Sequence, residues 1–476
     1  MVDVLVDPEA AEPLHRQVYR SIRGSILAGE MHPGERVLPS RGLADKLSLS
    51  RTTITQAYDQ LLAEGYLEAR TGSGTYVAGS LPAEGPMLQP AESSRVELSS
   101  WGRRLAGYRG TSDRAERSYQ YDFRPQRIDT DSFPWEDWRA ATERAQQRRE
   151  TFVVAPPPAG HAELREAISQ HVARYRAVRC SREQVVVVNG SQQGLNLLMR
   201  LLLDPGERVA VEDPGYLAAR HSFESARLEV TSIPVDAGGM NIEALRDTGP
   251  HRMVHVTPSH QYPTGVTMPL SRRLALLQLS ERDGSLVIED DYDSEFRYEG
   301  QPVESLQGLD RTGRVIYAGT FSKSTLPGLR LGFVILPSRL VEAFVAAKAL
   351  WDSGSPVLEQ AVLAEFMTSG DFERHIRRMR RLYRSRRDAL MKALQDELGS
   401  RATPSESQGG LNLLVQLNTR LPEARLVERA VRAGLGLHSA APYYKRAPAN
   451  PTFLFGFGGI REEQISQGIK LLESLL

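Results

Sequence analysis

The sequence predicts an α/β protein in two parts: a small N-terminal winged helix-turn-helix, and a large domain built on a mostly parallel central sheet. Three observations predict this. Residues 1–78 hold three short helical periodicities followed by a strand, a glycine-rich turn and a strand. Residues 79–118 are dominated by proline, serine, glycine and charge, with no sustained period, and read as a linker. From 119 to 476, short apolar strands (QVVVVNG, RVAVEDPG, MVHVTPS, SLVIEDDYD, RVIYAGTFSK, RLGFVIL) alternate with helical segments. That alternation marks a sheet buried on both faces by helices.

Composition agrees. A chain of 476 residues exceeds one ordinary core and favours two or three domains. The hydrophobic share is 41% and the charged share 25%, as in soluble globular proteins. No apolar run approaches the ~20 residues of a membrane span. The opening MVDVLVDPEAAEPLHRQ has no apolar signal core, so a cytoplasmic protein is expected. The single cysteine, Cys180, excludes an intrachain disulfide framework and a cysteine-rich zinc site, and no metal site is expected. Net charge is zero, yet residues 16–51 carry seven basic residues against three acids, a local +4. Nucleic-acid binding needs only such a local excess.

In the N-terminal part, Leu14, Val18, Ile22 and Ile26 recur at helical spacing within 13–28, and Gly29 ends that helix. SRGLADKL (40–47) reads as a second helix with Ser40 as its N-cap. After the turn SLS, a third helix starts at Arg51 behind Ser50 as N-cap, with Ile54, Ala57, Tyr58, Leu61 and Leu62 as its apolar stripe. Its first turn presents Arg51, Thr52 and Thr53 outward. A helix N-terminus offers free N–H groups to phosphate, and arginine can pair twice with a guanine edge. YLEARTGSGTYVAG then reads as a wing in which Gly72 and Gly74 allow close backbone approach. The stretch LPSRGLADKLSLSRTTITQAYDQLLAEGYLEARTGSGTYV resembles the GntR-type winged helix. The resemblance implies DNA contacts from Arg41, Arg51, Thr52, Thr53 and Gly72.

In the large part, the strand RVIYAGTFSK ends in Thr320, Ser322 and Lys323, followed by Arg330. A lysine beside a cation, partly removed from water, favours its neutral, nucleophilic form. Arginine's fork matches a dianionic phosphate. In SLVIEDDYDSEF, Asp290 lies where α/β sheets bind ligands and suits pairing with a pyridine nitrogen, and Tyr292 is two residues on. Asn189-Gly190-Ser191-Gln192, between a strand and a helix, reads as a phosphate cradle. Tyr216 offers a stacking ring, and VTPSHQYPTG offers a polar loop with His260 and Gln261.

Taken in chain order (phosphate turn, stacker, polar loop, Asp-x-Tyr, lysine, arginine), these motifs resemble the fold type I aminotransferase superfamily, whose cofactor is pyridoxal 5′-phosphate (PLP). The resemblance implies that Lys323 carries the cofactor as a Schiff base and that Asp290 pairs with the pyridine nitrogen. It places Tyr292 on the ring oxygen and Tyr216 against the ring. Ser191, Gln192, Thr320, Ser322 and Arg330 would surround the phosphate, with Gln261 also at the cofactor. A GntR-type winged helix fused to such a domain resembles the MocR/GabR regulators. That resemblance implies double-stranded DNA with two half-sites as partner, and a head-to-tail homodimer.

One departure stands out. Aminotransferases place an arginine near the C-terminus to grip a substrate carboxylate, and here PTFLFGFGG puts Leu454 in its place, with Lys445 and Arg446 in the loop before it. The expectation is therefore a regulator, not an enzyme with sustained turnover, with PLP as effector. This resembles the PdxR branch, which controls vitamin B6 synthesis genes. The alternatives are sensing of an amino compound joined to PLP, or a working aminotransferase with a DNA-binding appendage. The basic run RHIRRMRRLYRSRRDAL (374–390) reads as a salt-bridged surface helix, with a second DNA contact as the sharper alternative.

Overall fold

A computed structural model describes residues 4, 6–8, 10–79, 97–106, 118–300 and 303–476. It divides into two compact units, Met1–Leu98 and Ser99–Leu476. Most of the expected linker, 79–118, lies outside the described residues. Its described stretch holds a short helix, α4 (Ser100–Leu105), where the sequence shows no period. Arg104 on that helix donates to the Ser225 carbonyl at 2.7 and 2.9 Å, and the Arg200 guanidinium lies 6.0 Å from the Trp101 ring.

The first unit has helices α1 (Leu14–Leu27), α2 (Ser40–Leu47) and α3 (Arg51–Ala63), then an antiparallel hairpin of β1 (Leu67–Arg70) and β2 (Gly74–Val77). Val18, Ile22 and Ile26 meet Ile54, Ala57, Tyr58 and Leu61 in one core, as the two apolar stripes require. Ser50 caps α3, its hydroxyl accepting the Thr53 N–H at 3.1 Å. Ser40 differs from expectation. It is the first helical residue, Pro39 stands at the N-cap, and no side chain caps the helix. Proline's fixed φ is already suited to helix entry, so the serine falls one position inside. The loop before α2 extends the wing: Val37 N–H donates to Thr75 O at 3.0 Å and Val77 N–H to Glu35 O at 2.8 Å.

The second unit is built on β3 (Val185–Val188), β4 (Arg208–Asp213), β5 (Glu229–Asp236), β6 (Gly239–Met240), β7 (Met253–Val256), β8 (Leu286–Asp291), β9 (Val315–Thr320) and β10 (Gly332–Ile335). Their order is β3-β10-β9-β8-β7-β4-β5-β6. Strands β9, β8, β7, β4 and β5 pair in parallel, while β10 runs antiparallel to both neighbours, β9 and β3. Both faces are buried, which is why the strands read as unbroken apolar runs. Val186 and Val188 join one core with Leu195 and Leu198 of α6 (Ser191–Leu202). Val185 and Val187 join another with Leu164 and Ile168 of α5 (Ala162–Arg176). The smaller C-terminal part is a three-stranded antiparallel sheet, β11 (Ala402–Pro404), β12 (Asn412–Leu417) and β13 (Thr452–Gly456).

The basic run lies on α7 (Asp371–Ala393), whose arginines are largely engaged inside the unit. Buried Arg386 pairs with Asp129 and donates to Gly458 O at 2.6 Å, and Arg387 reaches Glu299 at 2.8 Å. Arg378 donates to Ser132 O at 2.6 Å. Among the described residues, no helix is long and apolar enough to cross a membrane.

Candidate cofactor and nucleic-acid sites

A cavity of about 180 Å³ opens where the parallel strands end. Its walls include nine of the ten residues the sequence nominates: Ser191, Gln192, Tyr216, Asp290, Tyr292, Thr320, Ser322, Lys323 and Arg330. The topology brings them together. Asp290 is the penultimate residue of β8, Thr320 ends β9, and the Gly190–Ser191 turn follows β3.

At one end, α6 begins behind Gly190 with no side-chain cap, so its first N–H groups are free to meet an anion. Gly190 sits at φ 80°, ψ 158°, and a Cβ there would lie 2.7 Å from Arg330 Nη2. The guanidinium therefore rests against the bare backbone of the turn. Thr320 Oγ1 accepts the Ser322 N–H at 3.2 Å, fixing the loop that carries Lys323. At the other end, Asp290 is buried, and His255 Nε2 from β7 lies 3.4 Å from its carboxylate. Tyr216 lies nearly parallel to the His255 ring, 6.5 Å between centroids. Behind them, Glu212 accepts the Thr257 hydroxyl at 2.6 Å, and burial pushes its carboxyl up to about 7.

Lys323 is half-buried. Burial pushes its amine down to about 8, with Arg330 acting in the same direction and Asp293 opposing. That leaves about a tenth of the amine neutral at pH 7, far more than in a free lysine, and the neutral form is the one that attacks an aldehyde. Tyr292 lies 2.9 Å from His260 Nδ1, which is itself 3.0 Å from Asp293. His260 Nε2 lies 3.1 Å from Ser407. The ring is thus tied on both nitrogens and holds Tyr292 in place.

These residues fit PLP: an amine for the aldehyde, an uncapped helix N-terminus and an arginine for the phosphate, and a buried carboxylate for the ring nitrogen. When bound, PLP supplies an electron sink, and the residues present anchor and orient it.

Gln261 is a correction. It is fully buried and does not line the cavity. Its amide donates to Pro214 O (2.8 Å) and Tyr262 O (2.7 Å), and its carbonyl accepts from Thr264. All its hydrogen-bonding capacity goes into bracing two loops. The sequence reasoning missed Gln126, Thr257, Tyr262, Asp293 and Asn412, which do line the cavity. Of these, Thr257, Tyr262 and Asp293 stood inside quoted motifs without being singled out.

Leu454 lies on β13, is 1% exposed, and packs with Tyr262, Ala440 and Tyr443. Lys445 and Arg446 are exposed and absent from the cavity wall. Among the described residues lining it, the only lysine or arginine side chains are Lys323 and Arg330.

In the first unit, Arg41, Arg51, Thr52 and Gly72 are exposed, with Gly72 at φ +75° in the wing turn. Thr53 is half-buried, its hydroxyl 2.8 Å from Ser50 Oγ, so it closes the cap of α3.

Comparison with known proteins matches these two units to two families. Residues 14–77 match the bacterial regulatory proteins of the gntR family, and residues 126–433 match aminotransferase class I and II. The chain is 36% identical to the probable rhizopine catabolism regulatory protein MocR of Rhizobium meliloti, over 99% of this chain and 95% of that protein. It is 31% identical to the pyridoxine biosynthesis transcriptional regulator PdxR of Corynebacterium glutamicum, over 97% and 96%. Its fold is similar to that of a Pyrococcus horikoshii kynurenine aminotransferase (TM-score 0.73, 28% identity, 79% of this chain and 96% of that one). Fold and site thus define a DNA-binding transcription regulator with an aminotransferase-like domain whose cofactor is PLP. The chain belongs to the MocR-type regulators, in which a gntR-family winged helix is fused to that domain.

Proposed function

We propose that this regulator reads PLP itself as its effector, does not sustain aminotransferase turnover, and controls vitamin B6 synthesis genes from the cytoplasm. One observation carries the reading. Leu454, which the sequence sets where aminotransferases carry a carboxylate-gripping arginine, packs in an apolar cluster, and Lys323 and Arg330 are the only lysine and arginine among the described residues of the cavity wall. With those two assigned to the cofactor's aldehyde and phosphate, no cation among the described residues of the wall is left for the carboxylate of an amino acid, and losing a bidentate contact of that kind removes a strong, orienting interaction. The likeness to the pyridoxine biosynthesis regulator supports the choice of target genes.

The working unit is a head-to-tail homodimer, with Arg41, Arg51, Thr52, Thr53 and Gly72 of each copy on one of two half-sites. Exposed apolar side chains support dimerisation: Leu350 is 93% exposed and Trp351 52%, and Val153 is 80% exposed and Val154 64%. The Leu350–Trp351 pair adjoins the cofactor turn, because the next residue, Asp352, accepts from Gln193 at 2.8 Å and from Asn189 at 3.5 Å. PLP binds one conformation of the large domain better and so shifts the population that engages DNA.

A second reading has its own observation. Asn412 Oδ1 is buried in the cavity wall without a hydrogen-bond partner among the described residues. It would accept from an amine whose far end is a neutral hydroxyl, making such an adduct the effector.

The test is fluorescence anisotropy of the full chain on its own upstream DNA, at fixed salt, with and without PLP. Specific binding whose affinity or stoichiometry changes with PLP alone supports the proposal. Specific binding indifferent to PLP but responsive to an added hydroxylated amine favours the second reading. Sustained conversion of any amino acid with a keto-acid acceptor refutes the non-enzymic reading.

A further inference from the structure

A second, larger cavity of about 290 Å³ lies beside the cofactor site and shares Asp293 and Thr320 with it. Nothing in the cofactor chemistry uses it. Its size is at the low end for small-molecule sites.

Its charges sort into two sets. Four carboxylates line it, and each has a partner inside the unit. Asp291 takes Arg176 Nε at 2.7 Å and the Tyr317 hydroxyl at 2.6 Å. Asp293 takes His260 at 3.0 Å. Glu373 and Glu295 flank His171, at 3.0 and 3.8 Å, and hold its imidazole up to about 9 against the effect of burial. The other set is Arg297, Arg377 and Arg380, and none of the three makes an ion pair with a carboxylate among the described residues. Arg377 and Arg380 are one helical turn apart on α7. Arg380 donates to Glu295 O at 3.0 Å, which draws it toward the segment carrying Arg297. Arg297 reaches only the neutral groups of Thr267 and Gln408, and its Nε is buried without a partner. Each carboxylate has a partner, whereas Arg297, Arg377 and Arg380 hydrogen-bond only neutral groups or water, which leaves three positive charges at the cavity with no carboxylate opposite them among the described residues.

We propose that this cavity is a second ligand site for a small oxyanion, a carboxylate or phosphate compound, held by Arg297, Arg377 and Arg380. The site has a route to the cofactor. Asp293 and His260 line the anion cavity, and His260 Nδ1 holds the Tyr292 hydroxyl, which lines the cofactor cavity. The His260 ring is fixed, since a Cβ on Gly410 would stand 1.9 Å from its Cε1. An anion that draws on the neighbouring charges therefore changes the bond that positions Tyr292, and the cofactor reports it.

The experiment uses the full chain saturated with PLP, so that the cofactor's own phosphate subsite is filled. Succinate and inorganic phosphate are titrated separately by calorimetry, with the cofactor's visible absorption followed in parallel. The expected result is saturable binding of at least one probe, with a band shift of the same midpoint. Which probe binds decides between carboxylate and phosphate chemistry. R377Q/R380Q, on the accessible side of α7, should bind tenfold or more weakly while keeping the wild-type melting temperature and PLP content. H260N should retain anion binding and lose most of the band shift. No saturable binding of either probe at 10 mM, or equal binding by wild type and R377Q/R380Q, overturns the proposal. Neither outcome bears on whether PLP alters DNA binding.

Discussion

Gly190→Ala tests the physical account of the cofactor cradle. The backbone there, at φ 80° and ψ 158°, lies in a region essentially reserved for glycine, so any side chain costs on the order of 1–3 kcal/mol of stability. The added Cβ would also lie 2.7 Å from Arg330 Nη2. That atom is the far end of a flexible side chain, so the guanidinium swings away while the backbone stays. The substitution therefore removes Arg330 from the phosphate without touching Arg330 itself. A hydrogen bond to a charged group contributes about 1.5–3 kcal/mol net. Its loss corresponds to a roughly ten- to hundredfold weaker PLP affinity. The assay is an absorbance titration of stripped full-length protein with PLP, beside a thermal melt, on G190A, R330Q and the double variant. If displacement is the mechanism, the double variant binds PLP no more than about 0.5 kcal/mol worse than R330Q. Losses that simply add, or a folded G190A with wild-type PLP affinity, would refute the reasoning.

Burial pushes the Lys323 amine down to about 8 from the ordinary 10.5, so its neutral fraction is larger than a free lysine's, most of all near and below pH 8. PLP uptake should rise with pH and level off above about 8–9, and K323A should give no cofactor band at any pH; a rate still climbing at pH 10 contradicts the burial argument. Arg51→Ala should cost roughly 1–3 kcal/mol on the operator and much less on unrelated DNA if Arg51 reads a base; an equal loss on both makes it a phosphate contact. Ser50→Ala removes the acceptor for the Thr53 N–H and should lower the stability of the first unit by about 1 kcal/mol, read as an earlier melt of that unit; an unchanged melt would show that water replaces the cap at no cost.

Much of this was legible in the sequence, for identifiable reasons. Strands buried on both faces show as apolar runs, and the cavity opens where such runs end, so Ser191, Asp290 and Lys323 on its wall could be picked out. Gln261 was misplaced because sequence shows that a polar residue lies beside a turn but not which way it points. Here two carbonyls and a threonine consume it. Gln126 and Asn412 were invisible because each comes from a distant segment and carries no local pattern. His255 had a usable signal, a histidine inside the apolar strand MVHV, which marks a buried polar group in need of a partner. Helix α4 is six residues long, too short for periodicity to appear.

Strand β10 has a consequence for how the molecule comes into being. Its Gly332 stands opposite Val188 of β3 on one side and Thr320 of β9 on the other, so within the sheet it is the strand that links the one leading to Lys323 with the one leading to the phosphate turn. A nascent chain that has not yet released residue 335 holds the two halves of the cradle with no seam between them. The core of the first unit, drawn from the first 77 residues, leaves the ribosome more than 250 residues earlier. On every newly made molecule the part that binds DNA is therefore complete before the part that holds the cofactor.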